Sequence, residues 1–328
     1  MTEIFVTQPV PERALSRLRE VATVRVFPDT LQIVPYDRLR EEASRSDVLY
    51  CLLHDRVDAG IIGAGSRLRL IASSAITPTH VDVAAATARK IPVTHIPNIV
   101  ADATADLQWG LLVATARRIV EADRALRRGT FPGAQSMHFV GGEIHGATLG
   151  TIGLGAIGSR IAGRARAFGM RVLYTKRHRL APEEERQMGV EFRTLEALLH
   201  DSDFVVINAT FSPDTRHLIG AAQLAMMKPT AYLINTARGP IVNEAALVDA
   251  LRGRRIAGAG LDVYENEPQV HPGLRDLENV VLTPHIGSAD RATRERVAAI
   301  VADNILAFLR GQRPPNVYNP QVFASESS

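Results

Sequence analysis

Cysteine is almost absent from this chain: of 328 residues only Cys51 carries a thiol. That excludes an intramolecular disulfide and any cysteine-built metal cluster. Its setting in "VLYCLL" reads as a buried core thiol, and a reducing cytoplasm suits it. Long apolar runs are missing too; none approaches the roughly 20 residues that a membrane span needs. Met1–Gln8 has neither the basic start nor the apolar stretch of a secretory leader, and "EIFVT" within it reads as a strand. Neither charge predominates, with 38 Lys and Arg against 35 Asp and Glu, a formal net charge of +3. Without a basic-aromatic stripe, nucleic acid is not an expected partner; neither is a membrane. "LRGRR" at 251–255 reads as a solvated helix end, and no metal site is expected. Repeats are absent, and low complexity is confined to the terminal "SESS".

What is present is ordinary globular material, 46% hydrophobic, on a scale that suits two domains of roughly 100–200 residues each. Short β-branched runs alternate with amphipathic stretches. "IFVT", "TVRVF", "DVLYCLL", "LRLIAS" and "IPVTHI" come first. A long helical pattern follows over 100–128, with Asp102 or Thr104 as its cap. A second series then begins at 148, with "ATLGTIGLG", "RVLYT", "DFVVINA", "AYLINTA", "GAGLDV" and "NVVLTP", and "DRATRERVAAIVADNILAFLRG" closes it as one more helix. Such alternation predicts an α/β chain of parallel sheets with helices on their faces.

Gly153-x-Gly155-x-x-Gly158 stands between a predicted strand and a predicted helix, the context that turns a weak spacing into a dinucleotide fingerprint. Gly153 permits the turn, Gly155 lets the backbone approach a pyrophosphate, and Gly158 allows close helix–strand packing. A helix starting near Ala156 offers unsatisfied N–H groups to the anion. About 20 residues further on, an NAD-binding chain carries an acidic residue for the ribose 2′-hydroxyl. Here 18 residues beyond Gly158 stands Lys176, in "VLYTKRHRL". A 2′-phosphate attracts such a cluster. At about 4 Å and an effective dielectric near 20, one unit pair is worth about 4 kcal/mol before desolvation. Lys176, Arg177 and Arg179 therefore read as a 2′-phosphate clamp and the cofactor as NADP (NADPH), with Arg177 foremost for its bidentate geometry.

Three later strand ends carry Arg238 in "NTARG", Asp262 and Glu267 in "GLDVYENEP", and His285 in "PHIGS". In open α/β sheets, ligands bind beyond the carboxyl ends of the strands. Each residue alone has a plain structural reading. Together they offer an anion holder, a carboxylate and an acid–base group.

With these motifs the chain resembles the D-isomer-specific 2-hydroxyacid dehydrogenases, most of all their glyoxylate/hydroxypyruvate reductase branch, from the first strand to "RPPN". The resemblance implies two Rossmann-like doubly wound parallel-sheet domains, the cofactor domain (101–288) inserted into a flavodoxin-like substrate domain (1–100 and 289–328), and a homodimer built on the inserted domain. It implies a small 2-keto or 2-hydroxy acid as substrate. Arg238, Glu267 and His285 become the catalytic residues: His285 to protonate the carbonyl oxygen, Glu267 to favour the imidazolium, Arg238 to hold the substrate carboxylate. Glu265 competes with Glu267, but the family position is the one before the proline. The resemblance also places Leu154, Ala156 and Ile157 at the pyrophosphate. Thr104, Thr236, Ala237, Asp262, Gly287 and Ser288 fall on the nicotinamide side, and Leu53 and His54 beside the substrate.

One loop departs from the family. "IASSAITPTHVDV" occupies the place of a glycine-rich pattern whose amides hold the substrate carboxylate; Ala75, Thr77 and Thr79 stand there with Pro78, which lacks an N–H. Ile76 and Thr77 can still donate. The departure leaves room for a same-fold dehydrogenase of an unusual anion, although the lysine expected of phosphonate dehydrogenases is missing from the loop. A non-catalytic, corepressor-like dinucleotide-binding protein is the third reading.

Overall fold

The computed structural model describes residues 1–324; "SESS", and with it the end of the expected substrate domain, lies outside the described residues. The chain divides into two compact units, Met1–Ile99 with Ala289–Ser328, and Val100–Ser288.

In the first unit, β1 (Glu3–Val6), β2 (Thr23–Val26), β3 (Val48–Cys51), β4 (Leu70–Ser73) and β5 (Val93–Thr94) form a parallel sheet in the order β2-β1-β3-β4-β5. This is the flavodoxin-like order. Every residue of β3 and β4 is buried, as expected of parallel strands covered on both faces. Asp58, Asp82 and Asp290 cap three of the covering helices by accepting the N–H groups of Ile61, Ala85 and Thr293. The last of these helices, Arg291–Leu309, packs on this unit, where the Arg69 guanidinium lies over the Phe308 ring.

In the second unit, β6 (Thr148–Ile152), β7 (Arg171–Thr175), β8 (Glu191–Phe192), β9 (Phe204–Ile207), β10 (Tyr232–Asn235), β11 (Gly258–Leu261) and β12 (Val280–Leu282) are all parallel, in the order β12-β11-β10-β9-β6-β7-β8. Counted from β6, that is the doubly wound dinucleotide-binding order with one strand added. Alternation divides the core between the faces: Val205, Ile207 and Leu233 pack on one side, Phe204, Val206, Tyr232 and Ile234 on the other. The Phe204 and Tyr232 rings stack at 5.3 Å; Phe204→Ala should cost about 3–5 kcal/mol. The doubly wound α/β architecture read from the sequence is the one observed.

Two local expectations need correction. The pattern over 100–128 is two helices, Ala101–Ala116 and Ile119–Arg127, with Arg118 between them in the left-handed region. The chain returns here: Gly142 N–H takes the Ala116 carbonyl at 2.9 Å, and a Cβ on Gly141 would lie 2.1 Å from that oxygen. Neither Asp102 nor Thr104 caps the first helix. Val100 holds the cap position, Thr104 Oγ1 donates to the Val100 carbonyl, and Asp102 pairs with Arg160 at 2.5 Å. The sequence also carried no sign of β8, where Glu191 and Arg193 flank Phe192 and leave no apolar run.

Candidate active site

The fingerprint turn follows β6. Gly153 has φ +93°, and a Cβ there would lie 2.6 Å from the Asn208 carbonyl; a Cβ on Gly158 would lie 2.5 Å from the Gly153 oxygen. Gly155 is different, since a Cβ there meets nothing within 4 Å. The turn is thus packed tight below and open above the amino end of the helix Ala156–Ala167, where the first N–H groups have no helical acceptor. That is the shape a pyrophosphate requires, so the residues fit a dinucleotide. Thr151 and Asn208, not singled out by the sequence, brace the turn: Thr151 Oγ1 donates to the Gly153 carbonyl at 2.8 Å, and Asn208 Nδ2 donates to Thr151 Oγ1 at 3.1 Å.

The basic cluster follows β7. Lys176 is half-buried and Arg177 exposed, with Arg177 Nη2 3.3 Å from Asp214 in an exposed pair. Arg179 is engaged elsewhere, forking onto Glu185 at 2.8 and 2.9 Å and lying over Phe192. Arg179, with the Tyr174 hydroxyl, holds the Glu185 carboxyl at about 2.

Beyond β10, Asn235 ties its own loop, accepting from Ala237 N–H at 3.0 Å and donating to the Arg238 carbonyl at 3.1 Å. Buried Thr236 accepts from Gln108 Nε2 at 2.9 Å. Arg238 is half-buried; burial pulls its guanidinium down and Glu267 pushes it back up. The next residue, Gly239, lies so close to the β11 loop that a Cβ would fall 1.9 Å from the Tyr264 carbonyl.

Beyond β11, Asp262 fastens the turn that follows β12. Its Oδ1 accepts from Thr283 Oγ1 at 2.6 Å and Ile286 N–H at 2.8 Å, and its Oδ2 from Gly287 N–H at 2.8 Å. Burial raises its pKa against these hydrogen bonds. His285 sits in this turn at φ +53°. Its Nδ1 lies 2.8 Å from Glu267 Oε2, while Glu267 Oε1 accepts from Tyr264 N–H at 2.9 Å. The other carboxylate is committed elsewhere: Glu265 Oε1 lies 2.5 Å from His217 Nε2. Of the two glutamates, the one before the proline meets His285. A Cβ on Gly287 would lie 3.2 Å from Asp262 Oδ2 and 3.4 Å from Thr104 Cγ2, so these three residues also meet.

The D-isomer specific 2-hydroxyacid dehydrogenase NAD binding domain family matches residues 109–287. The chain is similar to the glyoxylate reductase of Thermococcus kodakarensis, with 44% identity over 324 residues, 98% of this chain and 97% of that one. Among solved structures, it is similar to a protein of Thermus thermophilus at 40% identity and TM-score 0.89, covering 97% of this chain and 100% of that chain. An NADPH-dependent glyoxylate/hydroxypyruvate reductase from Sinorhizobium meliloti, solved with citrate, matches at 30% identity and TM-score 0.81, over 100% of both chains. This chain belongs to the D-isomer specific 2-hydroxyacid dehydrogenases.

In this dehydrogenase the first unit holds Leu53 and His54 in the loop after β3, and Ile76 and Thr77 in the loop after β4. Sequence reasoning missed the two residues that brace these loops. Asp55, buried, accepts from Thr7 Oγ1 at 2.5 Å and Leu52 N–H at 2.7 Å, and burial raises its pKa. His80 Nε2 lies 3.5 Å from Cys51 Sγ and 3.4 Å from Ser73 Oγ, and Ser73 Oγ in turn accepts from Ala75 N–H. Burial, helped by His54, lowers the His80 imidazole to about 4. Cys51 is the buried thiol expected, pushed well up by burial.

The dehydrogenase fingerprint, the Arg238–Glu267–His285 group and the Thr104–Asp262–Gly287 group therefore form within the second unit. Ala237 belongs to the Asn235-tied loop, and half-buried Ser288 ends the His285 turn. A cavity of about 340 Å³ lies at the opposite edge of the same sheet, bordered by Tyr232, Ala257 and Asn279 near the amino ends of β10, β11 and β12. No helix among the described residues is long and apolar enough to cross a membrane.

Proposed function

We propose that this dehydrogenase is an NADPH-dependent reductase of small 2-keto acids, glyoxylate and hydroxypyruvate above all, giving D-2-hydroxy acids. The observation that carries the reading is the 2.8 Å contact of His285 Nδ1 with Glu267, with Arg238 at the neighbouring strand end of a dinucleotide-binding sheet. When bound, the cofactor supplies the hydride that becomes the new C2–H bond. His285, protonated, gives its Nε2 proton to the carbonyl oxygen, and the Glu267 carboxylate stabilises the imidazolium and fixes its ring. Arg238 holds the substrate carboxylate and polarises the ketone. In the first unit, the Ile76 and Thr77 amides are assigned to the carboxylate, with Leu53 and His54 beside them.

The cofactor is assigned to Gly153, Leu154, Gly155, Ala156, Ile157 and Gly158 at the pyrophosphate and to Thr104, Thr236, Ala237, Asp262, Gly287 and Ser288 on the nicotinamide side. NADPH is favoured because Lys176 and Arg177, not a carboxylate, follow β7. The exposed Arg177–Asp214 pair is worth little and yields to a dianion. Arg179, held by Glu185, shapes the tip. The S. meliloti relative is itself NADPH-dependent. Met1–Ile99 with the C-terminal segment is assigned as the substrate domain, and Val100–Ser288 as the cofactor domain. A homodimer built on the latter is supported by Leu126, Phe131, Met137 and Val140, all more than half exposed within one short stretch. The lone buried thiol suits the cytoplasm.

The test is loss of NADPH absorbance with a panel of small 2-keto acids, run in parallel with NADH. Glyoxylate and hydroxypyruvate should be reduced, faster with NADPH. A chain that binds NADPH but turns over no 2-keto acid would overturn the proposal.

A further inference from the structure

The loop after β4 lacks the glycines its family role calls for, yet its backbone is held in a definite way from outside. Ile96 N–H donates to the Ala75 carbonyl at 3.0 Å, and His95 Nδ1 lies 2.9 Å from the Ile76 carbonyl. A carbonyl only accepts, so Nδ1 carries the proton. Two successive carbonyls are thus drawn toward the end of β5. In a planar trans peptide the N–H points opposite to its C=O, so Ile76 N–H and Thr77 N–H both face away from β5. Successive N–H groups on one side make an anion-binding concavity.

His95 is itself secured by the C-terminal segment. Its ring meets Tyr318 edge-on at 5.5 Å, its N–H donates to the Asn316 carbonyl at 3.1 Å, and its carbonyl accepts from Asn304 Nδ2 at 3.3 Å. Asn304 Oδ1 also accepts from Asn316 N–H, and Val317 bridges antiparallel to Thr94.

We infer that His95 is a positioning residue for substrate binding: by holding the Ile76 carbonyl it presents the Ile76 and Thr77 amides to the substrate carboxylate in place of the missing glycines. The inference rests on the reductase reading above. It acts on carboxylate affinity and leaves hydride transfer and cofactor binding to other residues.

The experiment compares full-length wild type, His95→Phe, His95→Asn and Tyr318→Ala with glyoxylate at saturating NADPH. His95→Phe keeps the ring and removes the donor, so KM for glyoxylate should rise about tenfold, the scale of one hydrogen bond, with kcat within about threefold and NADPH affinity unchanged. His95→Asn, which restores an N–H donor, should recover most of that loss. Tyr318→Ala frees the ring without removing it and should raise KM about threefold; it carries the test alone if His95→Phe does not fold. An unchanged KM in the folded variants, or a fall in kcat with KM constant, overturns the inference. A wild type inert toward every 2-keto acid removes the reductase reading and this one together, whereas an active wild type indifferent to these substitutions removes this one alone.

Discussion

His285 Nδ1 and Glu267 Oε2 stand 2.8 Å apart, and the second oxygen of Glu267 is held by the Tyr264 N–H. The carboxylate is gripped through both oxygens, so its charge stays against the imidazole. Replacing Glu267 with Gln keeps the shape and removes the charge. We expect kcat/KM for keto-acid reduction to fall by roughly 10²-fold. Steady-state kinetics beside NADPH binding check this; a kcat/KM equal to that of the wild type would remove the Glu267 charge from the mechanism.

Gly239 lies between two loops of the candidate site. A methyl group there would fall 1.9 Å from the Tyr264 backbone, which has no flexible end to give way. Gly239→Ala should therefore cost at least about 2 kcal/mol of stability and lower activity further by separating Arg238 from Glu267. Urea melts beside kinetics on the folded fraction would measure both; a variant of wild-type stability would contradict the packing described.

The basic tip of β7 makes a prediction with an internal control. Lys176→Ala with Arg177→Asp should weaken NADPH by at least about tenfold and NADH by less than about threefold, since only the former carries the extra dianion. Arg179→Ala should weaken the two about equally, because its guanidinium is taken by Glu185. Equal weakening by the double variant would remove the clamp.

His80 predicts a pH dependence of stability. Burial lowers its imidazole to about 4, against about 6.5 in an unfolded chain. Between those values the unfolded chain binds the proton and the folded one does not, so stability is complete above about pH 6.5 and falls as pH drops toward 4. At pH 4.5 the loss should be on the order of 2–3 kcal/mol, at 1.36 kcal/mol per unit. Denaturant midpoints at pH 7 and 4.5 should show a smaller loss in His80→Asn. Equal losses would assign the effect to other groups.

Much of this was legible because it depends on local periodicity and on spacing within a few residues. All but one of the strands have apolar runs, the fingerprint glycines fall within a six-residue span, and the polar strand ends follow the strands that carry them. β8 was invisible because Glu191 and Arg193 flank Phe192 and leave no apolar run, whereas the equally short β5 lies in "IPVTHI". The break at Arg118 was hidden because its cause, the return of Gly141 and Gly142 onto Ala116, lies more than twenty residues away.

Residue order alone thus gave parallel sheets with helices on their faces, the pyrophosphate turn and which residue types stand at the strand ends, since hydrophobic alternation and turn chemistry act over short distances; the doubly wound strand orders came from the family resemblance. The Glu267–His285 pair was already expected from the place of Glu267 before the proline. Other partners were settled by the folded chain, which committed Arg179 to Glu185 and seated Thr151, Asn208, Asp55 and His80 behind the loops they brace. Those choices depend on where side chains point once the chain has turned, whether six residues apart as for Arg179 and Glu185 or 57 apart as for Asn208 and Thr151, and side-chain direction leaves no mark on local pattern.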